Sequence, residues 1–288
     1  MSISRAGALP NSYKYIKLAI DSFEHRHLQG RIYHDSFEEG VAFHCISEMA
    51  ICLERLFDTM RYPMKSVEHR SFNPKESVSF PISEIKGAEA VCGKLAEYTL
   101  QVKYRFHSTW QGKIKNMRTG EIFDFRSFLE LMGYFERSLG GKVEESPYGL
   151  GKRMCEVTVR EYDRCLMGGD VSHPAVRDRI VFKGAFDLKE EIGHFLLPLP
   201  EGTEREKLII PRSVLVQSSA FGNMTFVIRV LFRRNATWQG TISWKEKRKQ
   251  VSFRSFLELL FLMEEAAVSG NWEEGSHREA AGNGAGPF

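Results

Sequence analysis

Apolar and polar residues alternate along four separated stretches of this chain, and downstream of each the spacing changes. The alternating runs are Ile16, Leu18, Ile20; Leu100, Val102, Tyr104; Cys155, Val157, Val159; and Phe226, Ile228, Val230, Phe232. Period-two alternation predicts half-buried strands. Further on, Phe256, Leu259, Leu260 and Met263 fall at i, i+3, i+4 and i+7, as do Ile46, Met49, Ala50 and Leu53. That spacing predicts amphipathic helices.

Between strand and helix the residues themselves recur. Thr237-Trp238-Gln239-Gly240 and Phe253-Arg254-Ser255-Phe256-Leu257-Glu258-Leu259 reappear 128 residues upstream as Thr109-Trp110-Gln111-Gly112 and Phe125-Arg126-Ser127-Phe128-Leu129-Glu130-Leu131. The skeleton is a Gly, a Phe thirteen residues later, an acid five further on, then Leu or Met. Two weaker copies obey it, with Gly30, Phe43, Glu48, Met49 and Gly169, Phe182, Asp187, Leu188. An ungapped repeat indicates how many times one unit was used. Each unit reads as strand, strand, strand, helix, with a polar turn such as Lys245 to Lys249 or Met117 to Glu121 before the third strand. Ser127 and Ser255, each with a Glu three residues later, have capping-box spacing and should start their helices.

The predicted fold class is α+β: four tandem repeats of a three-stranded antiparallel sheet plus one helix, arranged as two duplicated halves. Residues 1–141 form the first half, with units at about 13–60 and 95–139; residues 152–268 form the second, with units at about 154–197 and 224–268. Gly140, Gly141, Pro147, Gly149 and Gly151 mark the boundary. The connection from Arg61 to Lys94 is too long for a simple loop and should carry an extra strand or short helix packed on the units. A weak echo, Arg70-Ser71-Phe72 against Arg212-Ser213-Val214, fits duplication of an ancestral pair. The tail 269–288, rich in Gly, Ala and Glu, is expected to be disordered apart from a docking role for Trp272.

Composition narrows the class. A hydrophobic content of 42% over 288 residues fits a globular chain and excludes disordered or fibrous ones. With 40 basic and 37 acidic residues, net charge argues for no partner by itself. Cys45, Cys52, Cys92, Cys155 and Cys165 are odd in number and form no Cys-x-x-Cys pair, which predicts reduced thiols and a cytoplasmic protein. No apolar signal core or membrane-length run is present in the sequence.

Local clustering carries the candidate chemistry. Continued alternation places Val227, Arg229, Leu231, Arg233, then Gln239, Thr241, Ser243 and Lys245 on the face of the fourth sheet away from its helix, with Lys247, Arg248 and Lys249 in the next turn. The second unit places Gln101, Lys103, Arg105, then Gln111, Lys113 and Lys115 there. Cations interleaved with amides are what phosphate contact with some reading of bases requires. The candidate nucleic-acid-binding set is therefore Lys103, Arg105, Lys113, Lys115, Arg229, Arg233, Gln239, Lys245 and Arg248. A solvated sheet face is also ordinarily polar, and Lys-rich edges deter aggregation. The first and third units, with Asp21, Glu156 and Asp170 on this face, are not basic.

Trp110 and Trp238 share parity with Ile114 and Ile242 and should anchor small cores. Arg126 and Arg254 fall at helix N-termini, where a cation is disfavoured, so each should pair with an acid or hold an anion there. His25, His27, His34 and His44 cluster in the first unit without a ligand spacing, and no metal or other cofactor is expected. No Gly-x-Ser-x-Gly, Walker loop, His-Glu-x-x-His or Gly-x-Gly-x-x-Gly occurs. The repeated acids Glu48, Glu130, Asp187 and Glu258 are explained as helix caps.

Three strands and a helix carrying Trp-x-Gly…Phe-x-Ser…Glu resemble, one unit at a time, the sheet-reading DNA-binding domains of the plant ethylene-response type and of integrase arm-binding regions. The resemblance implies a bare sheet face placed in a groove; it transfers no base-contacting residue to a position of this chain. The expectation is a non-enzymatic cytoplasmic protein that contacts nucleic acid through the sheets of the second and fourth units. The alternative is a protein-interaction or self-assembly module acting through exposed sheet edges and the long connections.

Overall fold

The computed structural model describes residues 11–37, 40–74, 83–84, 92–140, 153–173, 176–196 and 224–269. After a short turn of helix at Asn11–Lys14 come β1 (Ile16–Glu24), β2 (His27–Tyr33), β3 (Val41–Phe43), α1 (Ile46–Met60) and the two-residue β4 (Ser83–Glu84). There follow β5 (Ala96–Tyr104), β6 (Gln111–Asn116), β7 (Ile122–Phe125) and α2 (Phe128–Ser138), then β8 (Met154–Asp163), β9 (Leu166–His173), β10 (Val176–Lys183) and α3 (Gly184–Leu196). The last are β11 (Met224–Phe232), β12 (Gln239–Trp244), β13 (Lys249–Phe253) and α4 (Phe256–Ser269). The class is α+β. The strands form two antiparallel sheets, β4-β3-β2-β1-β5-β6-β7 and β10-β9-β8-β11-β12-β13. In each, two meanders join through their first strands, β1 with β5 and β8 with β11.

The Gly-to-Phe spacing has a concrete cause. Gly30 faces Phe43, Gly112 faces Phe125, Gly169 faces Phe182 and Gly240 faces Phe253 across the second and third strands. On its other side each glycine meets a first strand whose register slips by one residue, between Ile20 and Ser22, Val102 and Tyr104, Val159 and Glu161, or Val230 and Phe232. Such a bulge bends the strand and brings its backbone close. A Cβ at Gly112, Gly169 or Gly240 would stand 1.9 Å from the carbonyl oxygen of Gln101, Thr158 or Arg229. No side chain fits there.

The four phenylalanines are 1 or 2% exposed, inside one hydrophobic cluster that takes side chains from both sheets and all four helices. Trp110 and Trp238 face the helices as their parity requires, edge-on to Phe128 and Phe256 at 5.1 and 5.2 Å between ring centroids. Ser127 caps α2 by accepting the amide of Glu130 at 3.1 Å, and Ser255 accepts that of Glu258 at 2.9 Å. The acids reach back to the amide of the residue preceding the cap. Glu48 accepts from His44, Glu130 from Arg126, Asp187 from Lys183 and Glu258 from Arg254, at 2.6 to 3.0 Å.

The cap residues also tie the halves together. The first hairpin of each meander turns through two left-handed residues: His25 and Arg26, His107 and Ser108, Arg164 and Cys165, Asn235 and Ala236. Ser127 donates its hydroxyl to the carbonyl of Ala236 at 2.6 Å, and Ser255 donates to that of Ser108. Cys45, in the equivalent cap of α1, lies 3.3 Å from the carbonyl of Cys165. At α3 the position is Gly184, with φ of 84° and His27 beside it. Each helix start therefore receives a hairpin of the opposite half.

The first connection packs on the second half before it reaches β4. Ser71 donates to Glu265 at 2.7 Å, the amides of Phe72 and Asn73 donate to the same carboxylate, and the Phe72 ring meets Trp244 at 5.7 Å. The boundary glycines 141–151, the segment 212–214, Trp272 and the tail from 270 lie outside the described residues.

Candidate nucleic-acid interface

Helices cover one face of each sheet; the candidate cations are expected on the other. Up to the bulge, parity places them as the alternation predicts. Lys103 is half-buried, and Lys115 and Arg229 are exposed. Lys113 shares this face but pairs with Asp124 at 3.2 Å, and Lys245 pairs with Glu156. Arg233 and Arg248 are exposed in turns. Among the described residues Lys103, Lys115, Arg229, Arg233 and Arg248 make no ion pair with a carboxylate.

Past the bulge the expectation fails, because the inserted residue flips every later side chain to the opposite face. Arg105 is 2% exposed and points inward to Glu54, to Asp58 at 2.8 Å and to the carbonyl of Pro63 at 3.2 Å. It does not belong to the open face. Tyr104 and Phe232, read from alternation as core, turn outward and are 54 and 53% exposed. The amide expected to read bases is also engaged. Gln239 accepts the amide of Arg234 at 3.0 Å and donates to the carbonyls of Arg234 and Thr237, closing its own hairpin; Gln111 does the same around Phe106 and Thr109.

The outward rings have neighbours. Tyr104 stacks on Phe106, itself 46% exposed, with centroids 5.2 Å apart and planes within 10°. At the matching place in the other half the guanidinium of Arg234 lies 5.2 Å above the centre of the Phe232 ring. The first and third meanders carry Ser22, Glu24, Glu161 and Asp163 in these positions. Sequence reasoning missed the rings. The signal was the close-approach glycine two strand-positions away, which marks a bulge.

Buried polar groups separate into a charged set and a lone acid. Eleven residues after Phe43, Phe125 and Phe253 stand Glu54, Glu136 and Glu264, with Gly193 at that distance from Phe182. Glu54 binds Arg105, His69 and the Trp110 indole. Burial alone would raise its pKa, but His69, Arg105 and Trp110 together hold it down at about 2. Glu136 binds Arg26 and Lys189. Glu264 is wholly buried beside Tyr162 and Cys165, its oxygens form no well-aligned hydrogen bond, and desolvation raises its pKa to about 8.

Arg126 and Arg254 each pair with the acid of their own first turn, Glu130 and Glu258, so those carboxylates occupy the helix N-termini. The histidines have separate partners: His27 lies 3.3 Å from the carbonyl of Lys183, His34 3.0 Å from that of Tyr13, and His44 3.0 Å from Glu48. No group of three metal-capable side chains occurs among the described residues. Cys45, Cys52, Cys155 and Cys165 are buried free thiols, with Cys52 and Cys155 pushed by desolvation to about 12. No helix among the described residues is long and apolar enough to cross a membrane. Comparison with protein-family models, with curated proteins and with solved structures finds no match.

Proposed function

We propose that this is a non-enzymatic cytoplasmic binding protein whose second and fourth meanders hold nucleic acid. In this reading the chain is four copies of one strand-strand-strand-helix unit, duplicated as halves 1–141 and 152–268. The recurring Gly–Phe cross-strand pair, bulge and acid cap support the repeat. The observation that carries the function is that, among the described residues, five candidate cations of those two meanders, Lys103, Lys115, Arg229, Arg233 and Arg248, make no ion pair with a carboxylate. Where a protein has no anion of its own to set against a cation on an open face, a phosphate can take that place. Lys113 and Lys245, already paired, contribute less, and Arg105 and Gln239 act within the fold. Buried free thiols fit a reducing compartment.

The test is a titration of labelled oligonucleotides at low and physiological salt. Affinity is expected to fall steeply with salt as counterions are released. The double variant R229E/R233E should abolish binding while leaving Tm nearly unchanged, because exposed charges contribute little to stability. The second reading, assembly through sheet edges, draws on Val181 of β10 and Ile122 of β7, which are edge-strand residues 78 and 59% exposed. A concentration-dependent mass in sedimentation, together with indifference to oligonucleotides at low salt, would select it.

A further inference from the structure

The two outward ring sites stand outside the hydrophobic core of the described residues. An aromatic side chain left half in water loses the hydrophobic gain it would have from burial, and these two are driven out by the same bulge at the same place in each half. Tyr104 carries Phe106 stacked against it, and Phe232 carries Arg234 over its ring. Lys103 directly precedes Tyr104 in sequence, and exposed Arg229 and Arg233 stand three residues before and one after Phe232. A flat π surface bordered by unpaired cations has two complementary needs, a second π surface and an anion. A nucleotide supplies both, its base to the ring and its phosphate to the cation. A duplex supplies only the anion, because its bases are already stacked on one another along the helix.

We propose that Tyr104 with Phe106, and Phe232 with Arg234, are two stacking platforms for the unpaired bases of a single-stranded nucleic acid. The inference rests on the nucleic-acid reading above and goes beyond it in strandedness, in the residues that touch bases and in number, one platform on each sheet. It assigns the cations to the backbone and the rings to the bases. Sequence preference should be slight, since every base offers a π face. Gln239 and Gln111, expected from the sequence on the base-reading face, are held by their hairpins.

Fluorescence anisotropy with a labelled single strand of about twelve nucleotides, and with the same length as duplex, tests it on the full chain. The single strand is expected to bind more tightly, with two binding events per chain on short strands. Y104A and F232A should each weaken single-strand binding by roughly tenfold or more at their own site. The slope of affinity against salt should stay unchanged, because no charge is altered. Y104W and F232W should restore affinity, which separates stacking from a general loss of structure; Tm reports folding directly. Equal or tighter binding of the duplex, or alanine variants that bind the single strand as the unaltered protein does, would overturn the platforms while leaving the nucleic-acid reading standing. Failure of the unaltered protein to bind any oligonucleotide at low salt overturns both.

Discussion

Arg105 and Arg233 stand 128 residues apart at the same place after a bulge, the first 2% exposed and bonded to Glu54 and Asp58, the second open to solvent. The difference lies in the helix each hairpin meets. In the first half α1 supplies Glu54, eleven residues after its phenylalanine; in the second half α3 has Gly193 there, with the ring of Trp238 3.8 Å from where its Cβ would be. The converse mismatch appears one helix later. Glu264, at the same count in α4, faces Tyr162 and Cys165 where Glu54 faces an arginine. The first half buries cation with acid, whereas the second leaves its arginine to the solvent and its acid buried without a cation. A repeated residue therefore keeps its role only where its partner is repeated too. This difference leaves Arg233 exposed, on the surface used in the proposed function.

The largest expected effect breaks the pair in one half and spares its counterpart. R105A should destabilise by about 3 to 5 kcal/mol, since it strands the buried Glu54, while R233A should change stability by less than about 0.5 kcal/mol. Urea unfolding of both variants checks this. Equal effects would mean that the two hairpins share one environment.

Next comes the lone acid, through pH. Folded Glu264 holds its proton up to about 8, whereas in the unfolded chain it releases it near about 4.5. Between those values the native state binds the extra proton, so stability falls as pH rises through the window. E264Q removes that dependence. It should be nearly neutral at pH 5 and stabilising at pH 8, on the order of a few kcal/mol. Glu54 is the mirror case. Its folded pKa of about 2 is below its unfolded one, so its contribution is present above about 4.5 and is lost as pH falls toward 2. Thermal melts from pH 3 to 9 of E264Q and the unaltered protein distinguish the two acids.

The smallest effect probes where the halves agree. S127A and S255A each remove an N-cap and a hydrogen bond to the opposite hairpin. Losses of about 1 to 2 kcal/mol, similar in size, are expected by chemical denaturation. A loss confined to one variant would show that the exchange of hairpins is also unequal between halves.

The sequence by itself determined much of this protein. Alternation located the four first strands, helical spacing located α1 and α4 and the recurring skeleton the other two helices, and the cap positions of Ser127 and Ser255 and the inward tryptophans followed from local rules. These are short-range matters: the period of a strand or helix and the reach of a cap depend on residues a few positions apart. Tertiary structure decided what those rules could not reach. A bulge arises where two strands must twist past each other, and by adding one residue it inverted parity for Arg105, Tyr104 and Phe232. Whether Arg105 is a buried partner or a surface cation depends on Glu54, fifty-one positions upstream. Whether Glu264 is charged depends on how deeply the fold buries it, beside Tyr162 and Cys165 from the opposite end of the same half. Electrostatic cost is set by the nearest partners in space, and the fold chooses those neighbours from distant parts of the chain.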